Sequence, residues 1–166
     1  MAVNENEISL RPATSNDNDF LMEVFASTRE AELVALPDAA IAASFIRMQF
    51  NAQRQSYEAA HPTAENRIII FRGSEVGRIL VDYTPYEIRL VDICLLKEFR
   101  ARGIGSFLIR GLINQAVEVG KPLTLSVYSF NPALHLYQRL GFSKTADDGL
   151  YIQMRWDRDP QTQPVV

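Results

Sequence analysis

The sequence predicts a mixed α/β domain built on a central sheet, and three observations carry that expectation. Short apolar runs rich in β-branched residues, such as "RIIIF" and "EIRLVDICLL", alternate with amphipathic stretches of helical period. Turn signals at Gly73-Ser74 and Asp147-Asp148-Gly149 each lie between two such runs. The resulting order (strand, two helices, three strands, helix, strand, helix, two strands) contains both hairpins and crossovers, as a mixed sheet with helices on it requires.

The elements follow in chain order. "EISLRP" is a short strand. Thr14 with Asp17 three residues on resembles a capping box, so "TSNDNDFLMEVFAST" opens a helix. A second helix starts near Asp38, after Pro37, with Ile41, Phe45, Met48 and Ala52 spaced as one apolar face, and it ends before the loop "HPTAEN". "RIIIF" and "EVGRILVDY" form a hairpin around Gly73-Ser74. A turn at Thr84-Pro85 leads into "EIRLVDICLL", a central strand with Arg89 and Asp92 embedded in it. From Gly103 a helix runs to about Val119 on a stripe of Ile104, Phe107, Leu108, Gly111, Leu112, Gln115 and Ala116, and Gly120 stops it. "PLTLSVYSF" is a strand and "NPALHLYQRL" a short helix. "GFSKT" and "GLYIQMRW" close the fold as a strand pair.

Composition excludes several classes. With 166 residues, 47% of them apolar and 22% charged, the chain fits one soluble domain, expected over residues 1–156 with a disordered tail over 157–166. No apolar run approaches a membrane span, and "MAVNENEISL" lacks the pattern of a signal peptide. A single cysteine, Cys94, cannot form an internal disulfide, so a cytoplasmic location is expected. A formal charge of −3 argues against a nucleic-acid partner. One Cys with His61 and His135 far apart supplies no ordinary metal site.

The stretch "FRARGIGSFL" carries the chemistry. Backbone N–H groups at a helix start have no internal partner and carry partial positive charge, so a glycine-bearing loop between strand and helix suits a phosphate. A Walker A loop would need Gly-Lys-Ser/Thr here, and the chain has Gly105-Ser106. A dinucleotide fingerprint would need glycine at position 108, which is leucine. The longer pattern is Arg100-x-x-Gly103-x-Gly105 after a buried strand. About 30 residues later, "NPALHLYQRLGF" supplies Asn131, Leu134 (with Ala133 beside it), Tyr137, Gly141 and Phe142. This pairing resembles the Gcn5-related N-acetyltransferase (GNAT) superfamily. The resemblance extends over about residues 7 to 156 and implies the GNAT fold, a mixed sheet of about seven strands flanked by about four helices.

The resemblance also implies roles. Acetyl-CoA would be the donor, its pyrophosphate held by the backbone of Arg100, Ala101, Arg102, Gly103, Ile104, Gly105 and Ser106, with Asn131 completing the site. The strand at Ile93, Cys94 and Leu95 would splay from "LTLSVYS" and pair with the pantetheine arm, and the Leu95 N–H would meet the oxyanion. Tyr137 would protonate the departing thiolate, since a phenol of pKa about 10 can donate to a thiolate whose conjugate acid lies near 8.5. Its competing role is packing. A base is harder to assign: where relatives carry Glu or His, this chain has Arg89, Val91, Ser126 and Tyr128. Asp92 either takes that role or pairs with Arg78 on the adjacent strand, and ordered water is the other proton route.

Acceptor choice in GNATs resides largely in the first two helices. Glu30 in "STREAEL", and Gln49, Gln53 and Tyr57 at i, i+4 and i+8, either line an acceptor pocket or form a solvated face. Arg47 and Arg54 leave the acceptor's charge open. Cys94 and Met22, Met48 and Met154 read as packing, and the histidines as surface residues. The expected activity is acetyl transfer to a small-molecule or peptide amine in a ternary complex, with no metal and no membrane. A GNAT-fold acyl-CoA-binding or regulatory module is the alternative. The apolar last strand, "LYIQMRW", is the one hint of a homodimer.

Overall fold

The structure, a computed structural model, describes residues 2–158, so most of the expected tail lies outside the described residues. Its seven strands form one sheet in the order β1-β2-β3-β4-β5-β7-β6, mixed in direction and accompanied by five α-helices. The chain divides into two compact units. Of the described residues, one unit contains 2–80 together with Asp92–Ile104, and the other contains Val81–Val91 and 105–158.

In the first unit, β1 (Ile8–Pro12) pairs antiparallel with β2 (Glu65–Phe71), Ile8 opposite Phe71 and Pro12 opposite Arg67. The capping box at Thr14 is present. Thr14 N donates to Asp17 Oδ2 at 2.7 Å and Asn16 N donates to Thr14 Oγ1 at 3.3 Å, opening a 3-10 turn that runs into α1 (Asn18–Ser27). Arg11 adds a two-pronged pair to Asp17, at 2.9 and 2.7 Å. A short helix absent from the sequence reading, α2 (Glu30–Val34), occupies the following connection and buries none of its residues. Asp38 caps α3 (Ala39–Ala60) as expected, its Oδ1 accepting from Ile41 N at 2.8 Å. Leu21, Phe25, Ile46, Phe50 and Ile68 form a core in which the Phe25 and Phe50 rings meet edge-on at 5.9 Å.

The inward face of α3 differs from the expected one. Ile46 and Phe50 are buried and the expected Phe45 packs against the core, whereas Ile41 is 45% and Met48 59% exposed, and Ala52 is also exposed. Half-buried Gln49, Gln53 and Tyr57 extend the inner face instead. The physical reason is the buried Arg78, a cation that must find polar partners and receives them from α3.

The tight turn after β2 consists of Arg72 and Gly73, with φ of 50° and 83°, one residue earlier than the sequence suggested. Two left-handed residues in succession match the strand twist of a hairpin and lead into β3 (Ser74–Tyr83) and then β4 (Ile88–Leu95).

The second unit holds the parallel ladder of β4 with β5 (Leu123–Tyr128), which runs from Ile88↔Leu123 to Leu90↔Leu125. β7 (Tyr151–Trp156) pairs antiparallel with both β5 and β6 (Ser143–Asp147). α4 (Ile104–Val119) buries Leu108, Leu112 and Ala116 of the predicted stripe and also Ile109, which was not in it, whereas Gln115, expected in the stripe, is exposed and accepts from Tyr83 Oη at 3.0 Å. On β5 and β7, Leu125 and Val127 lie opposite Met154 and Ile152 on a buried apolar face. The alternation of strand side chains places Thr124, Ser126 and Tyr128, with Arg155, Gln153 and Tyr151, on the other face. The short α5 (Ala133–Arg139) completes the unit.

Candidate active site

In the first unit the end of β4 is shaped by Gly77 on β3. A Cβ on Gly77 would stand 2.1 Å from the Cys94 carbonyl oxygen and 3.0 Å from Leu95 Cα, so the backbone of β4 approaches to a distance only glycine permits. Gly77 was missed in the sequence reading. Its signal was there: an isolated glycine inside a strand pattern marks a bulge or a close backbone approach. Ile93, Cys94 and Leu95 are half-buried on the strand so shaped.

Asp92 meets Arg78, whose Nη2 donates to Asp92 Oδ2 in a short ion pair. The same nitrogen reaches Gln53 Oε1 at 3.4 Å, and the guanidinium lies 5.8 Å from the centre of the Tyr57 ring. Burial alone would lower the Arg78 pKa, but the charge and hydrogen bond of Asp92 outweigh it and the net shift is upward. Cys94 Sγ donates to the Asp92 carboxylate at 3.4 and 3.6 Å. Burial, then the neighbouring carboxylate, push the Cys94 thiol well above its usual range, so it remains a protonated thiol. Three of the predicted side chains, Gln53, Tyr57 and Asp92, therefore meet around one guanidinium. Gln49 shares the half-buried face of α3. Glu30 is engaged on the surface by Lys97 Nζ at 2.7 Å.

A 3-10 turn at Lys97–Phe99 carries β4 into the glycine loop. Ala101 and Gly103 have φ of 57° and 85°, so left-handed residues bracket Arg102 as the chain winds into α4. For Ala101 this conformation is uncommon and costs about 1 kcal/mol. The Arg100 side chain is turned to the protein: Nε donates to the Leu95 carbonyl at 2.9 Å, and Nη2 donates to Ser27 O at 3.0 Å and Ser27 Oγ at 2.9 Å. Ser27 closes α1, where carbonyls lack helical partners and the helix dipole is negative, so a guanidinium there is favoured. Ser27 was also missed, and its sequence position gave no signal. Arg102 stacks over Phe99 at 5.3 Å.

The second unit takes up α4 at Gly105. A Cβ there would meet only Leu136 Cδ2 at 3.8 Å, an ordinary contact, so packing does not demand glycine at this position. A glycine in the first turn puts no side chain over the helix start, whose first amides have no helical partners, and on this ground the loop suits a pyrophosphate-bearing donor.

Tyr137 is buried and meets Phe142 edge-on at 5.7 Å. The end of α5 explains the spacing. Gly141, at φ 96°, donates its N–H to Gln138 O at 3.1 Å, and Phe142 N donates to Tyr137 O at 3.1 Å. These two bonds and the ring contact are a Schellman helix stop, which needs glycine at its left-handed residue and an apolar pair at its ends. Asn131 supports the other end of α5: its Oδ1 accepts from Ala133 N at 2.9 Å. In this unit the half-buried Arg89 heads a hydrogen-bonded chain, its Nη2 donating to Gln153 Oε1 at 3.2 Å and Gln153 Nε2 donating to Ser126 Oγ at 3.0 Å. Gln153 was missed as well; the alternation of "LYIQMRW" holds only the hint that it leaves the apolar face.

Among the described residues no group of three or more His, Cys, Asp or Glu is arranged to hold a metal ion, and no helix is long and apolar enough to cross a membrane.

Residues 63–144 match the family model of an acetyltransferase (GNAT) domain. A search of the curated proteins finds no match. Among solved structures, the PaiA N-acetyltransferase of Thermoplasma acidophilum, in complex with coenzyme A, superposes with a TM-score of 0.68 at 17% identity, over 90% of this chain and 98% of that one. An acetyltransferase from Thermus thermophilus gives 0.62 at 21% identity, over 93% and 97%. A GNAT family acetyltransferase from Elizabethkingia anophelis with acetyl-CoA bound gives 0.56 at 16% identity, over 92% and 99%.

Proposed function

We propose that this chain, a GNAT-superfamily acetyltransferase, moves the acetyl group of acetyl-CoA to a primary amine by direct attack in a ternary complex. The observation that carries this reading is the glycine loop, with left-handed residues at 101 and 103 and a helix start left bare at Gly105.

When bound, the donor supplies an acetyl thioester with a thiolate as leaving group. The loop amides from Arg100 to Ser106 hold its pyrophosphate. Arg100 serves the loop chiefly through its tie to Leu95 and Ser27. Ile93, Cys94 and Leu95 offer backbone groups to the pantetheine arm. Support comes from the ladder with β5, which ends at Leu90↔Leu125 while β4 runs on to Leu95. The Leu95 N–H receives the oxyanion as the tetrahedral intermediate forms. Tyr137, its ring fixed by the Schellman stop, holds the proton that passes to the thiolate.

An amine of pKa near 10.4 is only about one part in a thousand neutral at pH 7.4, so its proton must leave before attack. Asp92 is committed to Arg78 and Cys94, which favours a water route over a direct carboxylate base. Glu30, Gln49, Gln53 and Tyr57 line the acceptor side. A lone cysteine fits work in the reducing cytoplasm.

The same commitment of Asp92 favours a second reading, an acyl-CoA-binding module without turnover. A panel of amines and peptides incubated with acetyl-CoA, read by release of the coenzyme A thiol, separates the two. Transfer predicts release with at least one amine and loss of about 100-fold in rate for Tyr137→Phe. Tight binding without release from any amine supports the module.

A further inference from the structure

We infer that the second unit carries an anion-recognition site, formed by Arg89, Thr124, Ser126 and Gln153, that takes a carboxylate borne by the amine acceptor. The assignment of that carboxylate to the acceptor rests on the transfer reading; the site itself does not.

The argument starts from counter-charges. Every other buried or half-buried guanidinium among the described residues has a carboxylate in contact: Arg11 has Asp17, Arg29 has Glu32, Arg67 has Glu65, Arg78 has Asp92, and Arg155 has Asp157. Arg89 is half-buried and, among the described residues, has no such ion pair. Its one hydrogen bond among the described residues goes to a neutral amide, Gln153 Oε1, at 3.2 Å. Burial weakens its hold on the proton, and the more distant charge of Glu87 offsets that only in part. A desolvated cation with most of its donors unused is the arrangement that a planar carboxylate satisfies, because the fork of N–H groups matches two oxygens.

The neighbours add donors. Thr124 is the partner of Arg89 in the parallel ladder, so the two side chains project to the same face. Thr124 is only 7% exposed, yet its Oγ1 has no hydrogen-bond partner among the described residues. A buried orphan hydroxyl costs stability unless something completes it. Ser126, two residues on, projects to that face as well. Its Oγ accepts from Gln153 Nε2 at 3.0 Å, which leaves the hydroxyl hydrogen for another acceptor. Gln153 therefore links the guanidinium to the serine and fixes both. What remains unfilled is a set of donors without an acceptor: guanidinium N–H groups and two hydroxyls. Tyr128 and Tyr151, packed edge-on at 4.7 Å along the same face, form an aromatic wall for the body of such a ligand.

The occupant that fits is an amine carrying an acid group, such as an amino acid. The product of its acetylation, an N-acetyl amino acid, is a probe that needs no turnover. Binding of the twenty N-acetyl amino acids and their C-terminal amides to the coenzyme A-loaded protein is measured by calorimetry, for wild type, Arg89→Gln and Arg89→Lys. At least one acid binds the wild type about 10- to 100-fold more tightly than its amide, the range expected for one charge-assisted contact. Arg89→Gln removes that preference while leaving affinity for the amide within about threefold, and Arg89→Lys recovers part of it. An arginine that merely supports the fold would alter melting temperature without touching the ratio of acid to amide. Equal binding of acids and amides to wild type, no binding of either, or a preference that survives in a folded Arg89→Gln protein overturns the proposal. A clear acid preference together with no thiol release from any amine upholds the site and instead defeats the transfer reading.

Discussion

The Cys94 carbonyl oxygen lies 2.1 Å from the point where a Cβ on Gly77 would stand, so residue 77 sets how close β4 can come to β3. The same stretch of β4 offers the amides proposed to hold the donor arm. Gly77→Ala must move backbone, because the obstructing atom is a carbonyl and not the end of a flexible side chain. The expected cost is about 1–3 kcal/mol, as for other overpacked positions, read as a lower denaturant midpoint. Donor affinity, measured by calorimetry on the folded fraction, should fall with it. An unchanged midpoint would contradict the close approach.

Arg100 lies at the first position of the loop pattern, but its Nε and Nη2 donors are turned to Leu95 and Ser27. If its charge met a phosphate, lysine would replace it well. As a fork that holds a strand end to a helix end, it is poorly replaced by a single ammonium. Arg100→Lys and Arg100→Gln should therefore weaken coenzyme A binding to a similar degree, within about threefold of each other. Lysine better than glutamine by tenfold or more would return the side chain to the phosphate.

Tyr137 and Gly141 can be tested as hydroxyl and as scaffold. Tyr137→Phe keeps the ring against Phe142, so the variant should remain folded while turnover falls about 100-fold. Gly141→Ala forces a side chain onto φ 96° and puts a Cβ 3.3 Å from the Trp156 indole nitrogen. That variant should lose about 1–2 kcal/mol, seen in thermal melts, and turnover should fall as Tyr137 loses its position.

Asp17 connects stability to pH. The Arg11 side chain, then the Thr14 amide, hold its carboxyl far below the usual range. A group with a depressed folded pKa contributes its stability above the unfolded value, near 3.9, and loses it as pH falls toward the folded one. Asp17→Asn should therefore melt below the wild type at pH 7, and the gap should narrow as pH drops from about 4 toward 2. A gap that is constant with pH would show that the pair adds no charge-dependent stability.

Much of this was legible in the sequence because local rules wrote it. The caps at Thr14 and Asp38, much of the α4 stripe and the order of strands and main helices along the chain follow from spacing and turn chemistry that tertiary contacts then respected. The segment from Tyr137 to Phe142 was legible as a pattern, and its physical content is a helix stop. The face of α3 was misread because two stripes share the helical period, and the deciding fact was a buried arginine on another strand, Arg78. Asp92 was left between base and ion pair for the same reason, and the geometry supplies the pair. Gly77, Ser27 and Gln153 matter through partners at least 17 residues away in sequence, at Cys94, Arg100, and Arg89 and Ser126. No local pattern announces such contacts.

The central claim is that the loop from Arg100 to Ser106 holds the donor pyrophosphate, and calorimetric titration of acetyl-CoA into wild type and Gly103→Glu tests it most directly. Gly103 adopts φ 85°, and glutamate there would set a carboxylate beside the helix start. The wild type should bind with a Kd between about 1 μM and 1 mM, as is usual for a substrate. The variant, shown by circular dichroism to be folded, should bind at least about 100-fold more weakly, since like charges brought together cost several kcal/mol. Undiminished binding by the folded variant, or no binding by wild type, would contradict the account.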